Sequence, residues 1–319
     1  MQVLRQPVPL QAGTAACIGA FDGLHLGHQA LLQHARALQP RVALVTFDPH
    51  PARVLAPERA PPLLQSPGQR ARVSAALGVD SLVLLPFDRE LAATSPAAFA
   101  ERLLINGLRP ATVVVGPDFR FGASRRGGVD DLAELLRPAD IPVVVVDLVA
   151  DGDCKVSSSD IRTAVAAGEL ERAAHKLGRW YAVEGQVVHG AGRGRELGTR
   201  TANVDARSGL LPRPGVYAGA LGVPGTTELW PAAINLGHNP TFGPDIPLTL
   251  EVHALDVDLG ERLYGSIVEV AFAARLRDEQ RFTSADELAA QISRDIAEVR
   301  ARITAADLAT CARYLSPAP

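Results

Sequence analysis

The 319-residue sequence predicts two soluble units in series: a doubly wound parallel α/β sheet, then a small antiparallel β-barrel with a C-terminal helix. Three observations carry this prediction. Apolar, β-branched runs alternate with Ala-, Leu- and Arg-rich stretches through the first half, and runs apolar on both faces mark buried parallel strands. After Leu177-Gly178-Arg179-Trp180 the texture changes to short alternating segments cut by Gly and Pro. Near the end, Ser284 and Glu287 form a capping box ahead of apolar residues at three- and four-residue steps.

In order, the first half offers strands at Cys17 to Phe21, Val42 to Phe47, Ser81 to Leu85, Thr112 to Val115 and Ile141 to Val146. Helical spacing fills the gaps at Gln29 to Leu38, Gly68 to Leu77, Pro96 to Leu104 and Val129 to Leu136, which makes a βα repeat. The second half offers strands at Tyr181 to Val188, Gly215 to Leu221, Ala232 to Leu236, Leu248 to Leu255 and Ser266 to Phe272. Its helix carries Leu288, Ile292, Ile296, Val299 and Ile303, while the Ala-rich stretch from Thr304 onward carries no reading. The boundary is expected near 180, giving domains 1–180 and 181–319.

Composition narrows the function. With 47% hydrophobic and 21% charged residues the chain is too apolar for disorder. Lys and Arg total 32 against 35 acidic residues, and a net charge of -3 gives no reason to bind a nucleic acid backbone or an anionic membrane. Neither lysine, Lys155 or Lys176, follows a glycine, so no P-loop exists. Cys17, Cys154 and Cys311 are widely spaced and form no C-x-x-C pair, which excludes a zinc ribbon and suits a reducing cytoplasm. The apolar runs fall short of a membrane span, and no signal-peptide core is present.

Two segments of the first half carry chemistry. Gly19, Phe21, Asp22 and Gly23 lie in a turn that leaves a strand and enters a helix through His25 and His28. Both imidazoles thus sit near a helix N-terminus, where exposed N–H groups and the helix dipole attract phosphate. Taken alone, H-x-x-H suits a capping pair equally well. Asp118 follows a later strand, at the end where such sheets bind ligands. Lys155, Ser158, Ser159 and Arg162 open a helix and form a second phosphate cradle, although a Ser run there is also a common N-cap.

Together these motifs resemble the adenylyltransferase module of the prokaryotic bifunctional riboflavin kinase/FMN adenylyltransferase (FAD synthetase) family, a branch of the HxGH nucleotidyltransferases. The resemblance implies that His25 and His28 contact ATP phosphates, that Asp118 lies near the adenosine and flavin pocket, and that Ser158, Ser159 and Arg162 form the second phosphate loop. Leu24 stands where the family usually has Val, and Lys155 where Arg is common. The second exchange keeps the charge but loses the bidentate fork.

The second half resembles the riboflavin kinase module of the same family. Gly190, Gly192, Gly194, Arg195 and Gly198 fall in a Gly-rich segment suited to close approach to an anion. Thr201 and Asn203 offer hard oxygens suitable for Mg²⁺, and the resemblance gives Glu251 the role of general base toward the riboflavin 5'-hydroxyl. Asn235 and Arg277 complete the expected ATP- and flavin-side residues, although Arg277 also fits a solvated charge run. Arg200 replaces the family's Pro before Thr201, so an active kinase with weaker metal or nucleotide affinity than an Arg200→Pro variant is expected.

The expected function is therefore a cytoplasmic enzyme that phosphorylates riboflavin to FMN in its C-terminal domain and adenylylates FMN to FAD in its N-terminal domain. ATP is the co-substrate and Mg²⁺ the expected cation; nucleic acid and membrane partners are not expected. The alternatives are a monofunctional FMN adenylyltransferase with an inactive barrel, and a non-catalytic flavin-binding regulatory or storage protein.

Overall fold

The computed structural model describes residues 1–147, 149–151, 154–189, 200–206, 209–226, 228–237, 248–259 and 262–315. Its described residues divide into two compact units, Met1–Pro61 with Arg70–Ser157, and Pro62–Gln69 with the described chain from Ser158 onward.

The first unit is built on β1 (Gln2–Leu4), β2 (Thr14–Ile18), β3 (Arg41–Asp48), β4 (Ser81–Pro86), β5 (Thr112–Val115) and β6 (Val143–Val145). Neighbours pair in parallel in the order β1-β4-β3-β2-β5-β6. Connections carry α1 (Leu26–Leu38), α2 (Pro51–Leu55), α3 (Pro67–Ala76), α4 (Arg89–Ala93), α5 (Pro96–Phe99), which continues as a wider helix over Ala100–Leu108, and α6 (Val129–Leu136). A two-residue antiparallel ladder joins β7 (Ala150–Asp151) and β8 (Cys154–Lys155). β2, β3 and β4 add to one side and β5 and β6 to the other, so the order reverses between β2 and β5. The ligand crevice of such a sheet opens at the strand carboxyl ends there, where the chain leaves Ile18 and Val115.

The expected strand from Cys17 to Phe21 lies three residues too late, because β2 spans Thr14–Ile18. Phe21 is buried and apolar, which imitates a strand residue, yet it sits in the following turn at φ 47°.

The second unit is a closed antiparallel barrel of β9 (Tyr181–Val188), β10 (Ala202–Asp205), β11 (Gly215–Gly222), β12 (Leu229–Gly237), β13 (Thr249–Ala254) and β14 (Ile267–Arg277), in the order β10-β13-β12-β11-β14-β9. Alternation places Val183, Val187, Ile234, Leu236, Leu250 and Val252 inside, and Tyr217 meets Phe272 edge to face at 5.4 Å. Two helices ahead of the barrel, α7 (Ser158–Ala167) and α8 (Leu170–Leu177), contribute Ile161, Val165, Leu170 and Leu177 to the same core. Their packing therefore begins the second unit before residue 181. After the barrel come α9 (Ala285–Arg302), capped as expected by Ser284 on the Glu287 N–H, and α10 (Ala305–Leu315). Val299 of α9 and Ile303, its C-cap, pack with Ala218 of β11 and Ala273 of β14.

Arg277, expected on the ATP or flavin side, ends β14 with its guanidinium on Asp295 of α9. Nε lies 3.0 and 3.2 Å from the two carboxylate oxygens and one Nη 2.7 Å from the second. The other Nη donates to the Asp278 carbonyl at 3.0 Å. Asp295 is 8% exposed and Arg277 17%, so the pair fastens α9 to the barrel, and Gln291 adds a hydrogen bond to Asp295 at 2.8 Å.

Breaking this pair leaves an uncompensated buried carboxylate, so Arg277→Gln should lower stability by about 3 kcal/mol. Adding Asp295→Asn should recover part of that loss, as read by urea unfolding; a loss below about 0.5 kcal/mol would make the pair a spectator. Thiol reactivity gives a second check. Burial pushes the Cys17 thiol up to about 12, and burial and Glu269 push Cys311 up to about 12 against the opposing charge of Arg179. At pH 8 only about one in ten thousand of each is thiolate, so mass-mapped iodoacetamide labelling should spare both in the native chain and mark both in urea.

Candidate active sites

The turn between β2 and α1 is strained and braced. Phe21 and Leu24 adopt φ of 47° and 42°, positions that bulky side chains rarely take, and Gly23 between them has φ 90°. The conformation persists because both apolar side chains are buried and because β3 holds the turn: Gly19 N–H donates to Val45 O at 3.1 Å, and Thr46 Oγ1 donates to Ala20 O at 2.8 Å.

His25 is buried and caps α1, its Nδ1 accepting from the His28 N–H at 3.4 Å. A lone pair on Nδ1 leaves the neutral ring's hydrogen on Nε2. The His25 and His28 rings stack at 3.6 Å, and Phe21 meets His28 edge-on at 5.0 Å. Gly27 gives the stack room, since a Cβ there would lie a tight 3.1 and 3.2 Å from atoms of the His25 ring. Capping and phosphate recognition are thus compatible: one nitrogen of His25 fixes the ring, and the other carries the hydrogen a phosphate oxygen needs.

Asp22, in the same turn, is 2% exposed. The cation that balances it, Arg70 of α3, escaped the sequence reading. It is also buried, and burial pulls its guanidinium below the usual arginine value while Asp22 and Asp48 pull it back up. Beyond β5, Asp118 forms an ion pair with Lys155, whose hydrogen bond and charge hold the Asp118 carboxyl below the usual range. The structure thereby brings together two residues 37 positions apart that the sequence had placed in different motifs.

Ser158, Ser159 and Arg162 stand in α7 of the second unit. Arg162 Nε donates to Pro62 O at 2.8 Å. Asp160 in the first turn forms an ion pair with buried Lys176 at 2.9 Å and accepts a hydrogen bond from Arg172 at 2.6 Å.

On the barrel, strand register assembles the expected kinase residues into a row. Asn203 of β10 pairs with Glu251 of β13, and Glu251 pairs with Asn235 of β12. The row continues through Val216 to Arg277. Directly opposed residues share a face, and the alternation of β13 turns Glu251 outward between buried Leu250 and Val252. Thr201 precedes Asn203 by two positions and stands just ahead of β10. Gly190, Gly192, Gly194, Arg195 and Gly198 lie outside the described residues. Among the described residues no three His, Cys, Asp or Glu side chains cluster as a metal site. The Thr201 and Asn203 oxygens are neutral and hard, a set that fits Mg²⁺ when water and nucleotide phosphate complete its shell. Beside them an open apolar pocket is lined by Arg200, Thr201, Val252, Leu259, Leu263 and Tyr264, among others.

Comparison with known proteins matches both halves. The FAD synthetase family model matches residues 8–160 and the riboflavin kinase family model residues 177–303. A bifunctional riboflavin kinase/FMN adenylyltransferase from Pseudomonas fluorescens is 36% identical over 92% of this chain and 94% of its own length. The one from Escherichia coli K12 is 38% identical over 89% and 91%. A solved chain described as a macrolide-efflux protein from Streptococcus pneumoniae superposes with a TM-score of 0.80 at 28% identity, covering 93% of this chain and 99% of that one. Among the described residues of this chain no helix is long and apolar enough to cross a membrane. Two family models in series and relatives aligned across both halves establish that the chain belongs to the bifunctional riboflavin kinase/FMN adenylyltransferase family.

Proposed function

We infer that this chain makes FAD from riboflavin in two ATP-dependent steps. The observation that carries this is the succession of both family matches along one chain, residues 8–160 then 177–303. Residues 181–319 phosphorylate riboflavin to FMN. Residues 1–180 transfer AMP from ATP to the FMN phosphate and release pyrophosphate, with α7 and α8 belonging by packing to the barrel. Substrates and products are riboflavin, ATP, FMN and FAD, and we place the reactions in the cytoplasm, where Cys17 and Cys311 stay reduced.

In the kinase step the Glu251 carboxylate takes the proton of the riboflavin 5'-hydroxyl as the hydroxyl oxygen attacks the γ-phosphorus and ADP leaves. Outward orientation keeps Glu251 accessible, and Asn203 and Asn235 flank it. Thr201 and Asn203 would hold Mg²⁺, which when bound neutralises charge on the nucleotide phosphates. In the adenylyl step an FMN phosphate oxygen attacks the α-phosphorus of ATP. Here His25 and His28 donate to phosphate oxygens at the N-terminus of α1, where charge gathers as pyrophosphate leaves. Lys155, Ser158, Ser159 and Arg162 serve the second phosphate loop, with Asp118 on the nucleoside side. Gly19, Phe21, Asp22 and Gly23 shape the turn at the phosphates. Gly190, Gly192, Gly194, Arg195 and Gly198 bind the kinase nucleotide or flavin. Arg277, whose guanidinium is paired with Asp295, is assigned to the ATP and flavin side of the kinase.

Single substitutions should separate the reactions. His28→Ala should slow conversion of FMN to FAD about a hundredfold, the effect of losing one transition-state donor, and leave riboflavin phosphorylation near the parent rate. Glu251→Gln should do the reverse. Chromatography of flavin products reads both; equal damage to both reactions in a folded His28→Ala protein, or normal phosphorylation by Glu251→Gln, contradicts the assignments.

A further inference from the structure

Arg200 stands immediately before the Thr201 and Asn203 oxygens, and it is held from two directions. Its carbonyl oxygen lies 2.8 Å from His253 Nδ1; a carbonyl only accepts, so this nitrogen carries the hydrogen. Its Nη1 lies 2.9 and 2.7 Å from the two carboxylate oxygens of Asp258. Both partners belong to β13 or the turn beyond it. His253 follows Glu251 by two positions and shares its outward face.

The location of these bonds matters more than their number. The backbone ladder between β10 and β13 begins only at Ala202, which pairs with Val252. Arg200 and Thr201 therefore lie beyond the last backbone pair, and the His253 bond extends the attachment two residues further by means of a side chain. The guanidinium is directed to Asp258, which commits its charge to a carboxylate. The same residue and Thr201 line the apolar pocket, so movement at Arg200 is transmitted to both the oxygens and the pocket wall.

We propose that Arg200, His253 and Asp258 form a clamp that fixes the backbone entering Thr201, and thereby sets the Thr201 and Asn203 oxygens for Mg²⁺ and nucleotide phosphate. Arg200 is a positioning residue of the kinase, doing with two external bonds what a proline does with its ring. The proposal rests on reading the barrel as the kinase.

The test uses the full-length chain and two readouts: the Mg²⁺ dependence of riboflavin phosphorylation, and binding of Mn²⁺ in the presence of ADP followed by electron paramagnetic resonance. Arg200→Ala and Asp258→Asn should each raise the half-saturating metal concentration about two- to fivefold, the range of an exposed ion pair. Turnover at saturating metal should stay within about twofold of the parent. The double variant should be no worse than Arg200→Ala alone, because the two groups act through one bond. His253→Ala should also weaken metal binding. In an Arg200→Pro background, Asp258→Asn should have no effect. Additive losses, a fall in turnover with unchanged metal dependence, or an equal Asp258→Asn effect in the proline background would overturn the clamp. If the parent adenylylates FMN yet never phosphorylates riboflavin, the kinase reading fails separately, and the Mn²⁺ titrations still decide whether the clamp exists.

Discussion

Which backbone strands pair, and in what register, decides where each polar group of this chain stands. In the barrel, antiparallel pairing sets Asn203 opposite Glu251 and Glu251 opposite Asn235. A slip of one residue would turn this row inward and bring Leu250 and Val252 to solvent; burial of those side chains therefore holds the polar row in place. In the parallel sheet the reversal of order between β2 and β5 has the corresponding effect. Two strand ends open side by side there, and the histidine turn and the Asp118 segment begin at those ends.

Several groups at the proposed adenylyl site also brace the fold. His25 completes the first turn of α1 with one nitrogen, and that bond fixes the tautomer the other nitrogen presents. Phe21 and Leu24 hold backbone positions unfavourable to bulky residues, a cost of order 1 to 3 kcal/mol each that buried side chains and the bonds to β3 offset. Asp22 and Arg70 extend the pattern, since each is buried and each balances the other's charge. On the barrel Thr201, Asn203, Asn235 and Glu251 are instead half-exposed.

Much of this was legible in the sequence because local pattern and tertiary role agree. Period-two alternation gave β9, β12 and β13, the Ser284 cap gave the start of α9, and the H-x-x-H turn lies at the helix entrance where its residues suggested. Short or weakly patterned elements were hidden. β1 is only Gln2–Leu4 on a sheet edge, β10 mixes Asn203 and Asp205 with Ala202 and Val204, and α10 is masked by an Ala-rich composition. Long-range charge partners were also hidden, because sequence shows a charge and not its destination. Arg277 with Asp295 and Arg200 with Asp258 are separated by 18 and 58 positions, and nothing local marks Arg70 or Lys176 as buried.

We propose that the two reactions of this chain use different residues and are linked by FMN, the product of one and the substrate of the other. Mixing purified His28→Ala and Glu251→Gln proteins with riboflavin and Mg-ATP tests it most directly. Neither protein alone should make appreciable FAD, the first halting at FMN and the second leaving riboflavin unused, while the mixture should make FAD as FMN released by one is adenylylated by the other. A mixture that forms no FAD while the parent chain does, with both variants folded, would contradict the account.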